Sequence, residues 1–240
     1  MARAAVSGRL TWLVATVSQV RDETDTARTL TLDVPGWPGH LAGQHVTVKL
    51  TAEDGYSAQR SYSVASASAP DHLELTVQRV ADGEVSSYLA GDARPGDQFE
   101  VRGPIGGWFA WDPADPRPLL LLAGGSGIVP LMSIVRTHAA VKGKSPLQLI
   151  YSARTPADVI YADELAKRAR TEPATVITFL YTRLTRWRGT PATPDAPVSV
   201  PRVPGYAGRL SAEVLAAATY VIGSNDDDGV AEYLEKLYPE

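Results

Sequence analysis

The stretch Leu119-Leu-Leu-Leu-Ala-Gly-Gly-Ser-Gly-Ile-Val-Pro130 decides how the second half of the chain folds. An unbroken apolar run meets a glycine-rich turn, and a helix-like run over residues 131–141 follows directly. A short continuous apolar run is typical of a strand that is buried on both faces of a parallel sheet. Glycines permit unusual backbone angles, and Pro130 suits the first turn of a helix. We therefore predict a strand, a tight turn and a helix in succession.

The same alternation continues downstream of that turn. Strand patterns recur at residues 147–151, 176–181 and 220–222, and helical patterns at residues 157–169, 212–217 and 229–237. Strands that alternate with helices build a doubly wound parallel sheet, which we predict for this half. The Pro-rich segment 185–208 interrupts the pattern and is expected to be either a disordered or variable surface segment or a partner-docking or lid segment.

The first half of the chain has a different texture. Apolar and polar residues alternate at 29–34, 46–50, 73–78 and 99–101, a period typical of half-buried strands. Residues 10–20 alternate in the same way, so we interpret them as a strand and not as the apolar part of a signal peptide. These strands predict a small antiparallel barrel or sandwich. The prolines near residue 113 predict a boundary between domains 1–113 and 114–240.

Composition excludes several classes of function. The chain has 240 residues and a net charge of −4, so no basic excess indicates nucleic acid or an anionic membrane as a partner. No apolar run approaches the ~20 residues of a membrane span. There is no cysteine, which excludes thiol catalysis and cysteine-ligated iron–sulfur clusters. The four histidines show no ligand spacing, so we predict no metal site.

The tetrapeptide Arg60-Ser61-Tyr62-Ser63 combines a cation, a ring and a hydroxyl in the strand-rich half. Tyr62 offers a stacking face for a flavin, and Ser63 offers a donor to the flavin edge. Arg60 offers a fork for phosphate. Alternation places Arg60 and Tyr62 on one strand face and Ser63 on the other, so a bend after Tyr62 is required for one ligand. The alternative is an ordinary strand with an exposed arginine.

A second phosphate-binding candidate is Gly83-Glu-Val-Ser-Ser-Tyr-Leu89. Backbone N–H groups at the start of a helix attract anions, and Ser86 or Ser87 would add a hydroxyl. An ordinary helix N-cap would use the same residue types without any ligand.

The glycine turn and the next strand ends predict a dinucleotide site. Glycines at 124, 125 and 127 allow close approach to a pyrophosphate, although a tight strand–helix turn alone would use them too. The following strand ends in Tyr151-Ser-Ala-Arg154, where a NAD site usually carries an acid. Ser152 and Arg154, reinforced by Thr182 and Arg183, suit a 2′-phosphate and favour NADPH over NADH. We interpret Thr155-Pro-Ala-Asp158 as a helix start.

These motifs, in this order, resemble the ferredoxin–NADP reductase superfamily, especially its bacterial single-chain members without a fused iron–sulfur domain. The resemblance covers about residues 10–225 and also includes Gly43-Gln-His45, Gly103-Pro-Ile-Gly-Gly-Trp-Phe109 and Gly208-Arg209. It implies FAD in an N-terminal antiparallel Greek-key β-barrel and NAD(P)H on a C-terminal α/β doubly wound parallel sheet.

The resemblance also implies roles for individual residues. The flavin would lie on Arg60, Tyr62, Ser63 and Val64, with its pyrophosphate at Gly83, Val85 and Ser86, and the nicotinamide nucleotide along Gly124, Gly125, Gly127, Pro130 and Gly223. Tyr62 and Ser63 would be the catalytic pair. One departure is Ile222-Gly-Ser224, where the family usually carries a Cys-Gly-Pro-like turn. We expect the missing thiol to slow or redirect hydride transfer.

The expected function is that of a cytoplasmic FAD-dependent NAD(P)H reductase. Because the chain holds no metal centre, electrons would leave for a separate ferredoxin, flavodoxin or oxygenase component. A basic docking face would use arginines 183, 186, 188, 202 and 209. Two other hypotheses are a flavin-binding electron relay that has lost productive nicotinamide binding and a flavin-free binding module. FMN in place of FAD also stays open.

Overall fold

The structure is a computed structural model that describes residues 10–69 and 72–183. Within these residues the chain forms two compact units. The first unit comprises the described residues up to Asp115 together with Val129–Gly143, and the second comprises Pro116–Ile128 and the described residues from Lys144 onward. The predicted domain boundary between residues 113 and 114 stays a proposal.

The first unit contains a six-stranded antiparallel sheet. Its strands are β1 (Trp12–Asp22), β2 (Ala27–Asp33), β3 (His45–Thr51), β4 (Ser57–Ser63), β5 (Leu73–Gln78) and β6 (Gln98–Ile105). Their order in the sheet is β4-β3-β6-β1-β2-β5. A bridge from Val64, which directly follows β4, to Leu75 of β5 joins the two outer strands, as closure of a barrel requires. The prediction of an antiparallel barrel, with residues 10–20 in a strand, is confirmed.

Alternation along these strands fills one core. The inward residues of β2, β3 and β5 include Leu30, Val46, Val48 and Leu75, each with no exposed surface. Full burial of such a side chain contributes roughly 1.5–3 kcal/mol. The short helix α1 (Glu84–Ser87) and the helical turn Tyr88–Asp92 close the core from one side. Val85 of α1 is part of the same core cluster.

The second unit contains a parallel sheet in the order β7-β8-β9. Its strands are β7 (Leu119–Gly124), β8 (Leu147–Ala153) and β9 (Thr175–Tyr181). All six residues of β7 are buried, as its unbroken apolar sequence predicted. A 3-10 turn over Gly125–Gly127 leads into α2 (Ile128–Ala140), and α3 (Ala162–Thr171) precedes β9. The predicted strand at 220–222, the helices at 212–217 and 229–237, and the segment 185–208 lie outside the described residues.

The predicted helix over residues 157–169 begins too early. Pro156–Asp158 is a separate 3-10 turn with a capping box, in which the Thr155 N–H donates to Asp158 Oδ2 at 3.0 Å. The Thr155 hydroxyl also donates to Asp158 Oδ2, at 2.6 Å. The chain then leaves the helical region, since Tyr161 has φ 63°. Ile160 and Tyr161 are both buried, and the Ile160 N–H donates to the Tyr151 hydroxyl at 3.3 Å. Tertiary packing therefore overrides local periodicity here.

Within the described residues, no helix combines the length and apolar character that crossing a membrane requires.

Candidate functional site

Strand β4 lies at one end of the antiparallel sheet and pairs along its length with β3. Tyr62 stands opposite Val46, and Arg60 stands opposite Val48, which places both on the face that the core valines define. Arg60 is nevertheless exposed, and Tyr62 is half-buried. The predicted shared face of Arg60 and Tyr62 is therefore present in the structure.

The Arg60 guanidinium has N–H donors that are available for a ligand. It donates to the neighbouring carbonyl of Gln59 at 2.7 Å, and within the described part of the chain it forms no ion pair with a carboxylate. Arginine binds phosphate through charge-assisted, two-pronged hydrogen bonds. An exposed guanidinium without an acidic partner therefore fits a phosphate group of a nucleotide.

The Tyr62 ring has a fixed, partly apolar environment. It packs against the hydrophobic core of the first unit. Burial raises the pKa of the Tyr62 hydroxyl to about 12, although the nearby charge of Arg60 acts in the opposite direction. The side chain is thus a neutral phenol at physiological pH. A ring that is anchored on one side and neutral is suited to stacking on a planar ligand.

The chain changes its strand partner directly after Ser63. Ser63 pairs with His45 of β3, whereas Val64 bridges to Leu75 and its N–H donates to the Gln44 carbonyl at 2.9 Å. The change comes one residue later than the predicted bend after Tyr62, because Ser63 is still paired within β4. No group in the described residues forms a hydrogen bond with the Ser63 hydroxyl, which therefore stays available for a ligand.

At the α1 turn, backbone N–H groups are more available to a ligand than side chains are. Its first internal bond runs from the Ser87 N–H to the Gly83 carbonyl at 2.9 Å, so the first amides of the turn have no partner among the described residues. The Ser86 hydroxyl accepts from the Val80 N–H at 3.2 Å and donates to the Gly83 carbonyl at 3.3 Å. Val85 is buried. Val85 and Ser86 can thus serve a phosphate through their amides, with the Ser86 hydroxyl already engaged.

In the second unit, Gly125 has φ +48°, and no atom lies within 4 Å of the position that a Cβ would take. Gly124 is still extended at the end of β7, and the turn closes at Gly127. Pro130 lies in the first turn of α2, where its missing N–H costs no hydrogen bond. The turn therefore exposes its backbone to open space, which fits the close approach of a phosphate.

The carboxyl ends of the three parallel strands meet beside this turn. Gly124 pairs with Ser152, and the ladder continues with bonds from the Thr182 N–H to the Ala153 carbonyl and from the Arg183 N–H to the Arg154 carbonyl, at 3.1 and 2.8 Å. The side chains of Arg154, Thr182 and Arg183 are exposed, whereas Ser152 is buried. Ligands of doubly wound sheets bind at this edge. Gly223 lies outside the described residues.

Sequence reasoning missed that two of its motifs form one structure. The Gln44 side chain accepts from the Leu41 N–H and donates to the Gly106 carbonyl, both at 2.7 Å. Gly43 has φ +93°, and a Cβ at this position would collide with the Phe109 carbonyl oxygen. The segments 43–45 and 103–109 therefore support each other, next to the end of β4.

It also missed how helix α2 is attached within the first unit. The Ser133 hydroxyl donates to the Ser66 carbonyl at 2.6 Å, and Thr137 Oγ1 accepts from the Ser68 N–H at 2.8 Å. Arg136 donates to the Ala65 carbonyl at 2.8 Å. These contacts fix the segment that immediately follows β4. They join residues about 70 positions apart, so no local sequence signal announces them.

Among the described residues, no group of three or more histidine, aspartate or glutamate side chains is arranged to hold a metal ion.

Comparison with protein families and known proteins agrees with this geometry. Residues 15–109 match the oxidoreductase FAD-binding domain, and residues 121–198 match the oxidoreductase NAD-binding domain. The chain is 41% identical over 125 residues to the glycine betaine monooxygenase reductase subunit of Chromohalobacter salexigens, covering 51% of this chain and 33% of the relative. It is 32% identical over 204 residues to an NADH oxidoreductase of Escherichia coli, covering 83% and 54%.

A solved structure gives the same picture. The ferredoxin NADP+ reductase of Neisseria gonorrhoeae with bound FAD and NADP superposes with a TM-score of 0.62 at 26% identity, covering 74% of this chain and 71% of that one. The chain spans between a third and about half of the length of the two curated relatives.

Proposed function

Since the chain belongs to the ferredoxin–NADP reductase superfamily, we propose that it takes electrons from NAD(P)H and passes them through FAD to a separate redox protein. The observation that carries this proposal is the arrangement on β4. Within residues 10–69 and 72–183, Arg60 is an exposed arginine without an acidic partner, Tyr62 is an anchored ring, and Ser63 carries an unbonded hydroxyl. This donor set matches the phosphates, the planar ring and the polar edge of a flavin nucleotide.

The residues of the first unit would divide the flavin between them. Arg60 and the amides of Val85 and Ser86 would hold the pyrophosphate beside Gly83, whose own N–H donates to the Val80 carbonyl at 3.1 Å. The Val64 backbone would flank the ring. Tyr62 would stack on the ring, and Ser63 would donate to its edge. Because the Tyr62 hydroxyl has a pKa of about 12, we assign Tyr62 a stacking role and not a proton-transfer role. Bound FAD would supply hydride acceptance and the release of single electrons.

The glycine turn, the start of α2 and the ends of the parallel strands would hold the reduced pyridine nucleotide. Gly124, Gly125, Gly127 and Pro130 would lie along its pyrophosphate, in the open space that the positive φ of Gly125 leaves. The exposed Arg154 and Arg183 would bind a 2′-phosphate, with Thr182 beside them and Ser152 beneath. This charge favours NADPH over NADH.

The electron acceptor follows from the chemistry that this chain lacks. The chain has no cysteine and so holds no cysteine-ligated cluster of its own. We propose a ferredoxin, a flavodoxin or an oxygenase component as acceptor, in line with a relative that is named as a monooxygenase reductase subunit. A cytoplasmic location suits a consumer of reduced pyridine nucleotide. Of the five proposed docking arginines, the described residues include Arg183 alone.

The test is a spectrum of the purified chain with FAD, followed by anaerobic stopped-flow mixing with NADH and with NADPH. We expect a yellow protein whose flavin absorbance bleaches within seconds, faster with NADPH. Ser63→Ala should retain FAD and bleach more slowly. A chain that stays colourless with added FAD would refute the proposal. A yellow chain that neither nucleotide bleaches would favour an electron relay, the role that the exchanged turn Ile222-Gly-Ser224 also suggests.

A further inference from the structure

Tyr56 is a large aromatic side chain that the fold leaves 59% exposed and yet holds in place. It is the last residue of the turn that connects β3 to β4. Its hydroxyl donates to Glu84 Oε2 at 3.0 Å, across 28 residues of sequence. This hydrogen bond fixes the hydroxyl of an exposed ring.

The hairpin register places Tyr56 in line with the flavin residues. The Ala52 N–H donates to the Tyr56 carbonyl at 2.8 Å, so the strand geometry extends to residue 56. The period of two then places Tyr56, Ala58, Arg60 and Tyr62 on one face. Ala58 and Tyr62 pack against the core cluster to which Val85 of α1 belongs. Tyr56 and Tyr62 therefore lie at opposite ends of one row, on the side of β4 that α1 covers.

The composition of this row follows the order of a dinucleotide. Tyr62 lies six positions after Tyr56, which corresponds to about 20 Å of strand. Arg60 lies between the two rings. Its charge reaches both phenols: it opposes the hydrogen bond to Glu84 that raises the pKa of Tyr56, and it opposes the burial that raises the pKa of Tyr62. The sequence of ring, cation and ring matches a flavin, two phosphates and a second aromatic base.

Resting on the function proposed above, we propose that Tyr56 stacks on the adenine of the bound cofactor and thereby makes the chain select FAD over FMN. FMN lacks the adenylate half, so it reaches the residues that hold the flavin ring and the first phosphate but not Tyr56. Glu84 is a positioning residue, because its carboxylate holds the Tyr56 hydroxyl and so fixes the ring. Stacking between a base and an aromatic side chain has the strength to set such a preference.

The test compares dissociation constants for FAD and FMN, measured by fluorescence titration of the apoprotein. We expect the wild-type chain to bind FAD more tightly than FMN. Tyr56→Ala should weaken FAD about 5- to 100-fold and leave FMN unchanged. FMN serves as the internal control for an intact fold. Tyr56→Phe and Glu84→Ala both keep the ring but remove the hydrogen bond between the Tyr56 hydroxyl and Glu84. Each should therefore cause a smaller loss of affinity, again for FAD and not for FMN.

Tyr88→Phe is the matched control, because it removes another phenol–carboxylate bond of the same unit, from Tyr88 to Asp97 at 2.8 Å. It should leave the ratio of FAD to FMN affinity unchanged. Equal losses of affinity for FAD and FMN in Tyr56→Ala would show that Tyr56 only stabilises the structure, and this would overturn the inference. Wild-type protein that binds FAD and FMN equally would overturn it as well, with the proposed reductase intact. A chain that binds neither flavin would refute the proposed function itself.

Discussion

The two candidate nucleotide sites are built by opposite means. The site on β4 consists of side chains: an arginine, a tyrosine and a serine that project from the outer strand of an antiparallel sheet. The site at the end of β7 consists of backbone and of open space beyond it. The first site is weakened when atoms are removed, and the second is blocked when atoms are added. Each site therefore calls for a different kind of mutation.

The difference follows from the strands that carry the sites. An outer antiparallel strand can expose one face, so β4 carries polar side chains at every position except Ala58. Strand β7 is buried at every position, and only its carboxyl end is available for a ligand. In the parallel sheet, recognition is thus confined to strand ends, where glycines and flanking arginines lie.

Loss of a side chain should have the largest effect at Arg60. Arg60→Ala removes charge-assisted bonds to the flavin phosphates, and such bonds contribute about 1.5–3 kcal/mol. We expect the dissociation constant for FAD to rise about 10- to 100-fold in a fluorescence titration. Arg21→Ala is the control, since Arg21 is a partly exposed arginine of the same unit that pairs with Glu23. Equal affinities for wild type and Arg60→Ala would remove Arg60 from the site.

The arginines at the parallel-sheet edge should set the nucleotide preference. Arg154→Ala is expected to raise KM for NADPH about tenfold and to leave KM for NADH unchanged, because only NADPH carries the 2′-phosphate. Arg170→Ala, which removes an exposed arginine from α3, should alter neither value. Steady-state kinetics with both nucleotides gives the comparison. A parallel loss for NADH and NADPH would contradict a 2′-phosphate role.

Adding one methyl group at the glycine turn should test whether the second site binds its nucleotide through open backbone. Gly125→Ala places a Cβ at φ +48°, which costs about 1–2 kcal/mol of unfolding free energy, and fills the open space that a phosphate would approach. We expect a lower denaturation midpoint and an NAD(P)H affinity several-fold weaker. Gly36→Ala is the control, since Gly36 has φ +79° and equally open surroundings in the first unit. It should lose stability with unchanged nucleotide affinity.

Acid should affect the first unit more than the second, because all four histidines belong to the first unit. Burial lowers the pKa of both His40 and His45 below the ordinary 6.5. Below about that pH the unfolded chain binds protons that the folded chain does not, so the free energy of unfolding falls as pH falls. We expect a lower melting temperature at pH 5.5 than at pH 7.5.

A variant at His40 tests the cause of this acid sensitivity, which is the smallest of the expected effects. His40→Gln should reduce the acid-induced drop in melting temperature, since its amide can still donate to the Ser66 carbonyl that His40 contacts at 3.3 Å. His72→Gln removes an exposed histidine whose charge lowers the pKa of His40 less than burial does, so it should change the drop less than His40→Gln does. An identical drop in melting temperature in His40→Gln and wild type would show that His40 does not contribute to the acid sensitivity.

Much of the architecture could be predicted from local patterns. The unbroken run at 119–123 indicated a strand buried on both faces, and alternation over residues 10–20 and 46–50 indicated barrel strands. The capping box at Thr155 was also visible, because its partners are three residues apart. The start of α3 was not, since it depends on the burial of Ile160 and Tyr161 and on the bond from the Ile160 N–H to the Tyr151 hydroxyl. The roles of the individual site residues stay predictions.

The sequence by itself determined the residue types at the strand ends and along β4, because hydrophobic period and glycine conformation act within a few positions of the chain. Only the tertiary structure decided that Tyr56 meets Glu84, that Gln44 joins the segments 43–45 and 103–109, and that the Ser86 hydroxyl is engaged by its own loop. Contacts such as the first two depend on the path of the chain across tens of residues, and the third depends on the backbone angles of one loop. Neither leaves a periodic trace in the sequence.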